Sequence, residues 1–124
     1  MMEYVYSGIG GVFGAIARYG LSKWVGRHWN RAFPLATFCI NIIGSFILGI
    51  LFVVFSKNGF AVTCLQDLIV TGFLGAFTTF STFAYEIVIL IEDGDKDAGM
   101  KYFIMSIIAG LAAAFLGMTL GEHL

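Results

Sequence analysis

The chain has 124 residues, 59% of them hydrophobic and only 12% charged, with a mean hydropathy of +0.90 and a net charge of −1. Those figures exclude a soluble domain with a polar surface, and they give no basic footprint for nucleic acid. They fit an all-α integral membrane protein, in which 124 residues hold about four spans of roughly 20 residues with short loops.

The whole chain, 1–124, is read as a single four-span domain with spans near 4–21, 34–55, 65–91 and 101–120. Four helices enclose little interior, so size alone argues for self-association. The opening MMEYVYS lacks the positive charge of a secretory leader, and the first apolar stretch is expected to stay in the mature protein.

Tyr4 to Leu21 forms the first expected span. Gly10 and Gly14, with Gly11 and Ala15 beside them, give two rows of small residues on nearly one helix face, where a neighbouring helix can come close. Arg18 follows a turn later, either as an interfacial cation that snorkels or as a cation at a vestibule that attracts anions. Ser22 to Phe33 reads as a polar connector resting at headgroup level, because Lys23, Arg27, His28 and Arg31 alternate with Trp24 and Trp29. Neither His28 nor His123 has a partner at metal-ligand spacing, and Cys39 and Cys64 do not make a disulfide framework.

Pro34 suits the first turn of the second span, which runs to Phe55. Thr37, Asn41 and Ser45 fall at i, i+4 and i+8, forming one polar stripe. Asn41 is the costly member, since its amide brings two donors and an acceptor into a low-dielectric setting. It either bonds another helix or offers its NH2 to an anion. Ser56 to Thr63 is expected to turn at Asn58 and Gly59.

The third span, Leu65 to Ile91, is too long for a straight helix at small tilt and carries GFLGAFTTFSTFAYE. A break is expected near Gly75 to Thr79, where glycine weakens the ladder and Thr78 and Thr79 can bond back to carbonyls. A break frees carbonyl oxygens, hard ligands suited to a small cation such as Na+. Phe80, Phe83 and Glu86 follow at three-residue intervals on one face, with Ser81 and Thr82 between the rings. Ring edges are electropositive, so such a pair can favour an anion without offering it a full charge. Glu92 to Met100 reads as a solvated loop. In the fourth span Tyr102, Ser106 and Gly110 form a second polar stripe, and Ala113, Gly117 and Gly121 a small-residue seam.

Taken together, GGVFGAIARY, NIIGS and GFLGAFTTFSTFAYE closely resemble the Fluc (CrcB-type) fluoride channels, in order and over essentially the whole length. The resemblance implies an antiparallel, dual-topology homodimer in the bacterial cytoplasmic (inner) membrane, with two passive pores that export fluoride and reject chloride. It implies a pore role for Asn41, for Phe80 and Phe83 as the aromatics that meet across subunits, and for a central structural Na+ held by backbone oxygens of Gly75 and Thr78. By the same resemblance Thr37, Ser81, Thr82, Glu86, Tyr102 and Ser106 lie along or beside the path, whereas Gly110 stands where other members carry a hydroxyl.

The chemistry of such a path is coherent. Fluoride is small and strongly hydrated, so its water must be replaced by close donors: the Asn41 amide, hydroxyls and ring edges. A fixed cation in the narrow part would hold the ion too tightly, and no Lys or Arg occurs between Leu35 and Phe55 or between Leu65 and Ile91. Glu86 is awkward beside an anion and is expected to hydrogen-bond neighbouring hydroxyls.

Loop charge points elsewhere: Lys23, Arg27, Arg31, Lys96 and Lys101 fall on one side against Lys57 on the other, a bias that favours one orientation with both termini outside. Dual topology therefore comes from the resemblance alone. Two rivals are weighed. A small multidrug-type, proton-coupled exporter wants a carboxylate inside the first span, which has only Glu3 at its start. A non-transporting membrane assembly subunit needs only the seams, which leaves the polar stripes without a purpose. An enzyme is the remaining class, and no nucleophile, base and orienting group can be assembled from these residues.

Overall fold

The computed structural model describes residues 1–31, 33–57 and 63–124, and they are helical almost throughout. The elements are α1 (Met2–His28), α2 (Leu35–Lys57), α3 (Thr63–Gln66), a π-helix (Asp67–Leu74), α4 (Gly75–Phe77), α5 (Ser81–Glu92) and α6 (Lys96–Glu122). The α3–π–α4 run and α5 are the two halves of one long, broken helix. The turn expected at Asn58 and Gly59 lies outside the described residues.

Among the described residues three segments are long and apolar enough to cross a membrane: Leu35–Lys57, Cys64–Glu92 and Lys96–Glu122. The first helix is 27 residues long, but its Gly, Tyr and charged positions leave it less apolar than these three. The expected polar connector is shorter than Ser22 to Phe33, because α1 continues through His28, and the Arg27 charge complements the negative end of the helix dipole. The loop before the last span is shorter too. Asp95 caps α6, its side chain accepting from the Ala98 N–H at 3.1 Å, so only a tight turn with Gly94 at φ 88° separates α5 from α6.

Helix pairing follows the small residues. Helix α1 packs on the π-helix and α4, while α2 packs on α6, and α5 leans on α6 from the other side. In the first pair a Cβ built on Gly10 would run into the Leu68 carbonyl, and one on Gly72 into the Ser7 carbonyl. In the second pair Gly49 faces the Ala114 carbonyl and Gly117 the Phe46 carbonyl. Backbones thus meet directly, which is how helices associate where lipid removes the hydrophobic drive. Gly10 and Gly14 of the first row, and Ala113, Gly117 and Gly121 of the last, are all buried in these contacts.

Candidate functional site

The break sits at Thr78–Phe80. Thr78 leaves the helix with φ −78° and ψ 159°, and α5 restarts at Ser81. Asn41 closes the gap from α2: its Nδ2 donates to the Thr79 carbonyl at 3.0 Å, and its Oδ1 accepts from the Thr79 N–H at 2.9 Å. A primary amide matches a peptide unit donor for acceptor, so this reciprocal pair fixes Thr79, the middle residue of the break. One Nδ2 hydrogen is left for another acceptor.

The diverted bonds carry a consequence for the carbonyls. In an unbroken helix the Thr79 N–H would reach the carbonyl of Gly75 and the Thr82 N–H that of Thr78. Here Asn41 Oδ1 takes the first, and Thr79 Oγ1 takes the second at 3.3 Å. The Thr78 hydroxyl and N–H both turn back to the Leu74 carbonyl, at 2.9 and 3.0 Å. Two side-chain oxygens therefore relieve Gly75 and Thr78 of their helical partners, and Gly75 is exposed on the outer side of the break. Oxygens of this kind suit a hard cation.

Inward of the break lies a polar group walled by aromatics. The Tyr102 hydroxyl donates to Glu86 Oε1 at 3.1 Å, and the buried Thr37 stands beside this pair. Tyr102 is fully buried. Its ring lies edge-on to Phe83 at 5.0 Å and to Phe33 at 5.3 Å between centroids. The stripes expected on α2 and α6 thus face one another, and Glu86 from α5 completes them.

A cavity of about 510 Å³ runs along the break, lined by Asn41, Ser45, Thr78, Thr79, Phe80, Phe83 and Ser106 among others, with no charged side chain on its wall. The Ser106 hydroxyl is buried there with no hydrogen-bond partner among the described residues. Gly110 also lines it, its missing side chain facing the Ser45 hydroxyl.

The expected site residues divide accordingly. Asn41, Phe80, Phe83 and Ser106, with Thr78 and Gly75, share this cavity. Thr37, Glu86 and Tyr102 form the neighbouring polar group rather than its wall. Ser81 and Thr82 are exposed beside Phe80 and line neither this cavity nor a second one near α5. Arg18 is half-buried on α1 and likewise lines neither. Two features escape a reading of the residues. Thr79 is the hub of the break, and the π-helix over Asp67–Leu74 widens the helix just before it. A Thr-Thr pair after two glycines is the signal for the first; nothing in the apolar run DLIVTGFL signals the second.

With this geometry in hand, comparison with known proteins is decisive. The family described as "CrcB-like protein, Camphor Resistance (CrcB)" matches residues 5–118. The chain belongs to the CrcB-like family. Its similarity to curated CrcB-like relatives extends over nearly the full length of both partners. It is 39% identical over 121 residues, 98% of each chain, to the "Fluoride-specific ion channel FluC" of Magnetococcus marinus. It is 45% identical over 121 residues, again 98% of each, to "Fluoride-specific ion channel FluC 2" of Bacillus cereus. A third, "Fluoride-specific ion channel FluC 2" of Moorella thermoacetica, is 40% identical over 116 residues, 94% of this chain and 93% of that one. The chain is a multi-pass membrane protein of an ion-channel family, not an enzyme.

Proposed function

We propose that the protein is a passive, fluoride-selective channel that lets F⁻ leave the cell, as the names of its relatives indicate. The observation that carries this reading is the uncharged cavity in which the Asn41 amide, the unpartnered Ser106 hydroxyl and two Phe rings converge. Each group offers positive polarisation without a full charge. A small anion gains replacements for its hydration shell, and none of them holds it too strongly to be released. Glu86 stays out of the ion's way because its carboxylate is engaged by Tyr102.

The working unit in this proposal is an antiparallel, dual-topology homodimer in which each chain crosses the bilayer four times. Phe80 is 78% exposed in the single chain although it lines the cavity wall, so the wall is incomplete until a second copy covers it. The same holds for the cation. Gly75 and Thr78 fit a structural Na+ by the chemistry of their relieved carbonyls, but two oxygens fall short of the roughly six that a hard cation gathers. A second Gly75 and Thr78 pair raises the set to four; the ion would then neutralise four carbonyl dipoles where the two breaks meet.

Anion efflux from liposomes tests the reading. Fast fluoride efflux with negligible chloride efflux is expected, and both Asn41→Asp and Phe80→Ile abolish it. A well-folded protein that passes no fluoride sinks the proposal and leaves an assembly subunit as the better description.

A further inference from the structure

A second cavity, of about 370 Å³, lies at one end of the bundle, away from the break. It is lined by the end of α1 (Val25, Gly26), by Trp29, Arg31, Phe33 and Pro34, by the first turn of α2 and by the last turns of α5 through Asp93. Helix ends, a Trp and an Arg place it at the headgroup level of the bilayer.

Among the described residues its wall carries one guanidinium, Arg31, and two carboxylates, Glu86 and Asp93. The Arg31 guanidinium lies 5.6 Å from the Trp29 ring centroid, and the Trp29 indole N–H donates to the Phe33 carbonyl at 2.7 Å. The N-terminus of α2 opens onto the same cavity at Leu35 and Ala36, adding the positive end of a 23-residue helix. Asp93, the C-cap of α5, lines the same cavity with the negative end of that helix. Among the described residues neither Arg31 nor Asp93 is in an ion pair or a side-chain hydrogen bond, so the opposite charges share one cavity without neutralising each other. Phe33, Leu35 and Leu90 supply apolar wall.

We infer that this cavity binds the headgroup of a zwitterionic aminophospholipid, with the phosphate at Arg31 and the start of α2 and the primary ammonium at Asp93 and the end of α5. A free anion is disfavoured by the carboxylates of Glu86 and Asp93 on the wall, and an anionic lipid leaves the Asp93 side uncompensated. A quaternary ammonium cannot donate hydrogen bonds to Asp93, which separates ethanolamine from choline headgroups. The inference does not depend on which ion the protein conducts.

Native mass spectrometry of the purified protein, supplemented in turn with phosphatidylethanolamine, phosphatidylcholine and phosphatidylglycerol of identical acyl chains, tests it. Retention of phosphatidylethanolamine should exceed that of either other lipid by about fivefold, the size of one exposed charge contact. Asp93→Asn should erase the preference over phosphatidylcholine, and Arg31→Gln should weaken all three. Both residues are exposed, so neither change threatens the fold. Equal retention of the three lipids, a wild-type preference for phosphatidylglycerol, or a phosphatidylethanolamine preference that survives both substitutions overturns the inference.

Discussion

On the inner side of the break Phe83 is 8% exposed and packs edge-on against Tyr102; on the outer side Phe80, three residues earlier and of identical chemistry, is 78% exposed. The two rings remain neighbours, 6.2 Å apart between centroids and tilted by 56°. Their environments differ because Phe83 is on the second half-helix, which α6 supports, while Phe80 is its N-cap and has nothing beyond it. The contrast separates what one chain finishes from what a second copy is proposed to supply. Inner residues should answer to stability measurements, outer ones to transport.

That division can be attacked from either side. Removing the inner ring should cost most: Phe83→Ala empties the contact with Tyr102 and Phe103 and should lower unfolding free energy in mixed micelles by about 3–5 kcal/mol. Gly14→Val pushes a side chain into the Phe73 backbone and should cost about 1–3 kcal/mol, read as a lower denaturant midpoint and a loss of α1 packing. Asn41→Leu removes both bonds to Thr79; membrane hydrogen bonds are weak, so about 1–2 kcal/mol is expected, with fluoride efflux lost altogether. At the outer end Phe80→Ala should change stability by less than about 0.5 kcal/mol, as for an exposed position, while still stopping efflux. A large stability loss from Phe80→Ala in the separated chain would erase the distinction.

Much of this arrangement was legible before any coordinates. The seams on α1 and α6 could be read because small residues four apart have one use in a membrane helix, close approach, and both seams are buried against backbone. The stripes of Thr37 and Asn41 and of Tyr102 and Ser106 could be read because polar side chains in lipid must face protein or water. The target of Asn41 could not. Its amide is spent on the Thr79 peptide unit as much as on any ion, and only the fold shows which peptide unit a break leaves unpaired. The π-helix was invisible for a related reason: an extra residue per turn answers to packing against α1, not to a pattern in its own residues. Helix ends were misjudged by several residues wherever charge was taken as a sign of loop, as at Lys23 to His28 and Lys96 to Met100.

The pairing of the helices also sets a timetable for biosynthesis. Helix α1 finds its seam on the third segment and α2 finds its own on the fourth, so the chain is interleaved and neither pair is made of consecutive spans. A nascent chain stopped after Lys57 would hold two helices in the bilayer with Gly14 and Gly49 both unfilled, and with only the smaller α1–α2 contact available to them. The first pair becomes available only after Phe77 has left the ribosome and the second only near the C-terminus, where Lys57 Nζ meets the Glu122 carbonyl at 2.9 Å. Until those last residues are made, the insertion machinery or a chaperone must hold the early helices apart from other chains, and a truncation of even the final turn of α6 would leave that closing contact unmade.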